Sequence, residues 1–134
     1  MPGGKSNYLA DKIGDHMHGG PDYTRPATTY FAMMTVTPTS SGGGTEASGG
    51  GYARLAYTNN STNWPASSGQ TKLNATVMDW GTFTAALGTI VAIAEYDSSS
   101  GGNLLSFGPL SSSRVLATGD SFQVPISGGT YQES

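Results

Sequence analysis

Few residues of this chain could do chemistry, and their spacing decides what that chemistry would be. His16-Met17-His18 offers two imidazoles, but residues two apart on a helix diverge by about 200° and cannot share a face. With no third ligand nearby, no metal site is assigned. Gly119-Asp120-Ser121 has the composition of an esterase nucleophile block. That chemistry needs a base, and only His16 and His18 could supply an imidazole, so a turn before a terminal strand explains these residues better. Glu95 and Asp97, two apart on one side of a strand, could present a carboxylate pair to Ca²⁺ or for acid–base work; the plainer reading is a polar strand end entering a turn. Trp64, Trp80 and several tyrosines could form a sugar-stacking platform, although such rings more often serve a core or an interface. No residue is therefore expected to serve catalysis, a metal or a cofactor, and the chain is not expected to be an enzyme.

The most unusual stretch is Ser41-Gly-Gly-Gly-Thr-Glu-Ala-Ser-Gly-Gly-Gly-Tyr52, with six glycines in twelve residues around the single charge of Glu46. It lacks the Gly-Lys-Ser/Thr ending of a P-loop, and Ala47 stands where a G-x-G-x-x-G pattern needs its last glycine. A domain linker would need a separate core on each side, which the short N-terminal segment cannot build. A long surface connector is expected.

The elements that must position these residues are strands. The chain has 134 residues, no cysteine, 11% charged positions and a net charge of -3. That is enough for one core, without disulfides or thiolate metal sites, and its small uncharged polar residues suit a β protein. The six basic residues form no cluster, which argues against nucleic acid as a partner. No run is long and apolar enough to cross a membrane, and the N-terminus lacks a signal-peptide pattern, so synthesis in a cytoplasm is expected.

Leu9, Ile13 and Met17 recur at helical spacing over residues 7–19, behind Ser6 or Asn7 as cap and ahead of Gly19-Gly20-Pro21. Residues 28–37 carry apolar side chains on both faces, with Phe31 and Met33 opposite Tyr30, Ala32, Met34 and Val36, as a doubly covered strand would. Residues 52–58 place Ala53, Leu55 and Tyr57 inward and Arg54 outward; residues 71–77 place Leu73, Ala75 and Val77 inward and Lys72, Asn74 and Thr76 outward. Residues 87–96 read as a buried strand, 97–103 as a turn, 104–107 and 114–117 as short strands. Residues 121–127 read as an edge strand with Phe122, Val124 and Ile126 inward. The expectation is all-β: an antiparallel β-sandwich or compact barrel of about seven short strands with one short N-terminal α-helix. It is expected as a single domain over 1–134, with the helix in 1–20 and the β core in 21–134.

The order of Asn7-Tyr-Leu-Ala-Asp-Lys-Ile13, Thr28-Thr-Tyr-Phe-Ala-Met33 and Gly42-Gly-Gly-Thr-Glu-Ala-Ser-Gly-Gly-Gly-Tyr-Ala-Arg54 resembles a family of small tailed-bacteriophage proteins usually labelled phage tail-fibre proteins. The likeness continues through Asp79-Trp-Gly81, the stretch from Asp97 to Leu110, and Gly119-Asp-Ser-Phe122, and so covers nearly the whole chain. The sequence departs from the family pattern at His16, Met17 and His18, and at Ala94-Glu95-Tyr96.

The resemblance implies a structural protein of the virion. A fibre needs an elongated shaft, and no heptad or Gly-X-Y period announces one. A capsid decoration or cement protein is therefore the first expectation, working by many copies bridging capsid subunits, with other copies of itself (a trimer) and the major capsid protein as partners. A tail-fibre or tail-tip component that touches tail proteins and a host glycan is the alternative, and a carbohydrate-binding module the third. The expected subunit contacts are the helix stripe Leu9, Ile13 and Met17 together with Gly42, Gly43, Gly44, Glu46, Gly49, Gly50, Gly51 and Tyr52.

Overall fold

A computed structural model describes residues 4–69, 71–126 and 130–132. Its elements run β1 (Gly4–Lys5), α1 (Asn7–Met17), β2 (Thr28–Val36), β3 (Thr45–Glu46), β4 (Leu55–Thr58), β5 (Thr71–Leu73), β6 (Met78–Thr82), β7 (Gly88–Tyr96), β8 (Leu104–Leu116), β9 (Ser121–Val124) and β10 (Thr130–Gln132). The main sheet is ordered β1-β8-β7-β2-β3, with β4 also on β2, and two smaller ladders pair β6 with β9 and β5 with β10. All pairs are antiparallel. The result is an all-β sandwich with an N-terminal helix. Ten strand segments are described rather than about seven, the excess being short pieces such as β1 and β3 that carry no alternation to read.

The doubly apolar pattern of β2 is explained by its place inside the main sheet. Phe31 and Met33 enter a cluster with Tyr57, Ile90 and Ile93 from the main sheet and Met78 and Phe122 from the covering ladder. Ala32 and Met34 face the other way, against Ala92, Ala94 and Leu104. Trp80 joins the two layers: its indole N–H donates to the Phe31 carbonyl at 3.1 Å, and its ring meets Phe122 edge-on at 5.3 Å. The tryptophans thus serve the core, as Trp64 also does against Phe31 and Tyr57.

Ser6 caps α1, its hydroxyl accepting from Leu9 N–H at 3.1 Å. Gly19, at φ 84°, takes the left-handed turn that ends the helix. Only the first turn of the apolar stripe is packed: Leu9 is buried, Ile13 is half-buried and Met17 is 65% exposed.

Residues 71–77 depart from the expected alternation. The strand stops at Leu73, and Leu73 and Val77 are exposed while Asn74 is fully buried. Its amide donates to the carbonyls of Thr76 at 2.9 Å and Pro125 at 3.0 Å. A buried amide requires acceptors, and these two carbonyls satisfy the Asn74 side chain in place of an apolar one. Ala53 is exposed because β4 begins only at Leu55, and Ile126 is exposed because β9 ends before Pro125. Ser127 lies outside the described residues. The two short strands expected around Phe107 and Arg114 are one strand, β8. Its pairing jumps from Ala92↔Pro109 to Ile90↔Arg114, so Leu110, Ser111, Ser112 and Ser113 bulge opposite Val91.

Candidate functional site

The register of the main sheet sets three polar side chains together. Phe31 pairs with Glu95, and Glu95 pairs with Ser106, so the last two share one face; Thr29 lies two residues before Phe31 on that face. The face is apolar elsewhere, and the covering layer does not close over it here. A cavity of about 630 Å³ remains, with Leu9 of α1, Trp64, Met78, Leu110 and Val124 among its walls. The bulge in β8 is what turns Leu110 and Ser111 toward it.

Ser106 Oγ donates to Glu95 Oε1 at 2.8 Å. Thr29 Oγ1 lies near the same carboxyl without reaching hydrogen-bond geometry and is buried with no other partner. Desolvation by burial raises the Glu95 pKa from the ordinary carboxylate range, and the hydroxyls of Ser106 and Thr29 oppose that shift. Burial also raises the phenol of Tyr23 at the cavity wall. Arg25 and Lys72 line the same cavity, and Lys72 Nζ donates to the carbonyls of Trp64 and Pro65 at 3.3 and 3.1 Å.

A carboxyl whose folded pKa exceeds its unfolded value binds its proton more tightly in the folded state. Its contribution to stability is full below the unfolded pKa and is lost as pH rises through the folded one. Glu95→Gln keeps the shape and removes the titration. Thermal unfolding across pH should therefore show the wild type losing ground to Glu95→Gln from mildly acidic to neutral pH, the variant being the more stable at neutrality. Parallel profiles would mean that the carboxyl is hydrated.

Asp97 does not join Glu95 as a carboxylate pair. It closes the turn that follows, accepting from Asn103 N–H at 2.7 Å and from its side-chain amide at 2.9 Å. Asp120 similarly accepts from Ala117 N–H within its turn, at 2.8 Å. His16 Nδ1 accepts from Tyr23 N–H at 3.1 Å, and among the described residues no group of three or more His, Cys, Asp or Glu is placed to hold a metal.

The glycine-rich stretch forms a second cluster on the opposite face. Glu46 in β3 accepts from Tyr52 Oη at 2.6 Å and from Arg54 Nη2 at 2.9 Å. Arg54 Nη1 reaches the carbonyls of Ser98 at 2.8 Å and Gly101 at 2.9 Å, and its guanidinium lies 3.9 Å from the Tyr96 ring centroid. Tyr52 Oη accepts in turn from Met33 N–H at 3.0 Å. Burial and the bond to Glu46 raise the Tyr52 pKa, so the phenol stays neutral and donates. Arg54, expected outward, has only 8% of its side chain exposed: it does face away from Leu55, but Tyr96 and the turn after β7 cover that side.

Of the expected contact residues, Leu9 is buried within its own chain, and Glu46 and Tyr52 are anchored to Arg54 and β2. Gly50, at φ 60°, lies so near Ala85 that a Cβ would sit 2.8 Å from its carbonyl oxygen. Gly43, Gly44, Gly49, Gly51 and Met17 are exposed, while Gly42 and Ile13 are half-buried. The structure brings helix and glycine stretch together at one point, where Asn7 N–H donates to the Ser40 carbonyl at 2.8 Å and Asn7 Nδ2 to Ser41 Oγ at 3.3 Å.

The family model described as "Podophage GP4 fiber I protein gp80" matches residues 4–132. A search among curated proteins gives no match. The chain belongs to this phage fibre family and is a structural protein of the virion.

Proposed function

We propose that this chain is a compact module of a tail fibre, attached to the phage tail and taking part in contact with the host. The observation that carries this reading is the fibre-family match over residues 4–132. It favours the tail over the capsid decoration expected from compactness, because a compact domain can be one bead of a fibre whose reach is supplied by other chains. In this reading copies of the chain meet one another, as a trimer, or meet a tail protein, through the exposed glycines and the free end of the helix. Gly43, Gly49 and Gly51 all hold positive φ and present backbone unobstructed by side chains, whereas Gly44 backs onto Val36 and Pro38 of its own chain.

Quantitative mass spectrometry of purified particles, against the major capsid protein, tests the location. A small fraction of the capsid subunit's copy number, with antibody labelling at the tail, is expected. Parity with the capsid subunit would return the chain to decoration, and absence from the particle would overturn a virion role.

A further inference from the structure

We infer that residues 18–27, the connector from α1 to β2, form a lid over the cavity, and that the lid closes when Arg25 turns inward to pair with the carboxylate of Glu95. The inference is independent of where the chain sits in the particle.

The cavity supplies the anion. Glu95 is half-buried and keeps its remaining surface toward the cavity it lines. Ser106 serves Oε1, while Oε2 receives no hydrogen bond among the described residues. A neutral carboxyl tolerates this setting. An ionised one is a desolvated charge with a single hydroxyl donor, and folded proteins pair such charges.

The walls supply two cations, of which one is already engaged. Lys72 on β5 is held by the Trp64 and Pro65 carbonyls. Arg25 is exposed and makes no hydrogen bond or ion pair among the described residues. Trp64 and Phe31 belong to the same walls, and a guanidinium, more weakly hydrated than an ammonium, is tolerated among aromatic rings.

The connector is tied at its ends and loosely in between. Gly20 N–H donates to the Asp15 carbonyl at 2.8 Å, and the Pro26 carbonyl accepts from Asn59 Nδ2 at 2.9 Å. Among the described residues, the one hydrogen bond made by residues 21–25 runs from Tyr23 N–H to His16 Nδ1, at 3.1 Å, with Asp22 3.8 Å from the same nitrogen. The arrangement described, with Arg25 outside, is the open one.

The other groups around Glu95 do not take the place of Arg25. Burial, with charge from Tyr8, Asp97 and Glu95, raises the Tyr23 phenol, which stays neutral. β2 and β8 contribute the hydroxyls of Thr29 and Ser106, and α1 contributes Leu9. Desolvation keeps the Glu95 proton on at acidic pH, where the lid is open. Loss of that proton as pH rises draws Arg25 in. Closure reduces, without cancelling, the stability that the wild type loses toward neutral pH.

The experiment follows the Glu95 carboxyl carbon and the Arg25 Nε–H by NMR across pH in the full-length, isotope-labelled protein. A closed state favoured about tenfold once the carboxyl is ionised makes Glu95 about tenfold more acidic than in a chain that cannot close. Arg25→Gln, at an exposed position outside the core, should therefore make Glu95 about tenfold less acidic, while Lys72→Gln should change it far less. The Arg25 Nε–H should become slow to exchange over the pH range in which Glu95 ionises, and should stay fast in Glu95→Gln. His16 is common to all these proteins, so its own protonation cancels in the comparison. An unchanged Glu95 titration in Arg25→Gln, an equal effect of Lys72→Gln, or an Arg25 Nε–H that ignores the Glu95 titration would each overturn the lid.

Discussion

Arg54→Ala should destabilise the fold by about 3 kcal/mol, the low end for breaking a buried ion pair. The low end applies because Glu46 keeps 27% of its side chain exposed and can rehydrate once Arg54 is gone. Arg54 does more than balance that charge. Burial alone would lower its pKa, but hydrogen bonds and charge from Glu46 outweigh burial and raise it. Its second nitrogen ties down the Ser98 and Gly101 carbonyls of the turn after β7, and its plane rests on Tyr96. Lysine should rescue little, since a single ammonium cannot engage the carboxylate, two carbonyls and a ring face at once. Urea unfolding is the check. The midpoint should fall with an unchanged m-value, and Glu46→Gln, which retains an acceptor for Tyr52, should fall less. A loss of unfolding free energy below about 1 kcal/mol, the range of exposed pairs, would mean that the cluster behaves as surface.

This cluster shows what the sequence carried and what it did not. Apolar side chains on both faces of residues 28–37 placed β2 inside a sheet, because two apolar faces need two covers. The alternation of Leu55 and Tyr57 against Arg54 gave the correct face for Arg54 and the wrong environment: alternation assigns sides, and only long-range packing by Tyr96 says whether a side meets water. Glu46 looked like an isolated charge in a glycine loop. Its partner is eight residues on, across a reversal that needs Gly49, Gly50 and Gly51 at positive φ, which no periodicity encodes.

The cavity was hidden for a different reason. Glu95 follows Ile93 in a strongly apolar strand, and read locally it is a strand end. Its significance depends on register, since pairing with Phe31 on one side and Ser106 on the other sets it in the middle of the inner face. Four residues of β8 must also leave the ladder, opposite Val91, for a space to remain beside it. A run of serines after Pro109 was compatible with such a bulge and equally with a loop between two strands. The buried Asn74 belongs with these cases, because one of the carbonyls that satisfies its amide, that of Pro125, is distant in sequence.

Phe31→Ala should be among the most damaging single changes, costing about 3–5 kcal/mol out of the roughly 5–15 kcal/mol typical of a folded domain. The ring is 2% exposed and packs edge-on against Tyr57 at 5.9 Å and tilted against Trp64 at 6.4 Å. Its removal would also extend the existing cavity into the core, where the void has no polar lining to hold water. Phe31→Leu leaves a smaller void and should lose clearly less. Calorimetric unfolding of both variants tests the order, which would be reversed only if the backbone collapsed around alanine.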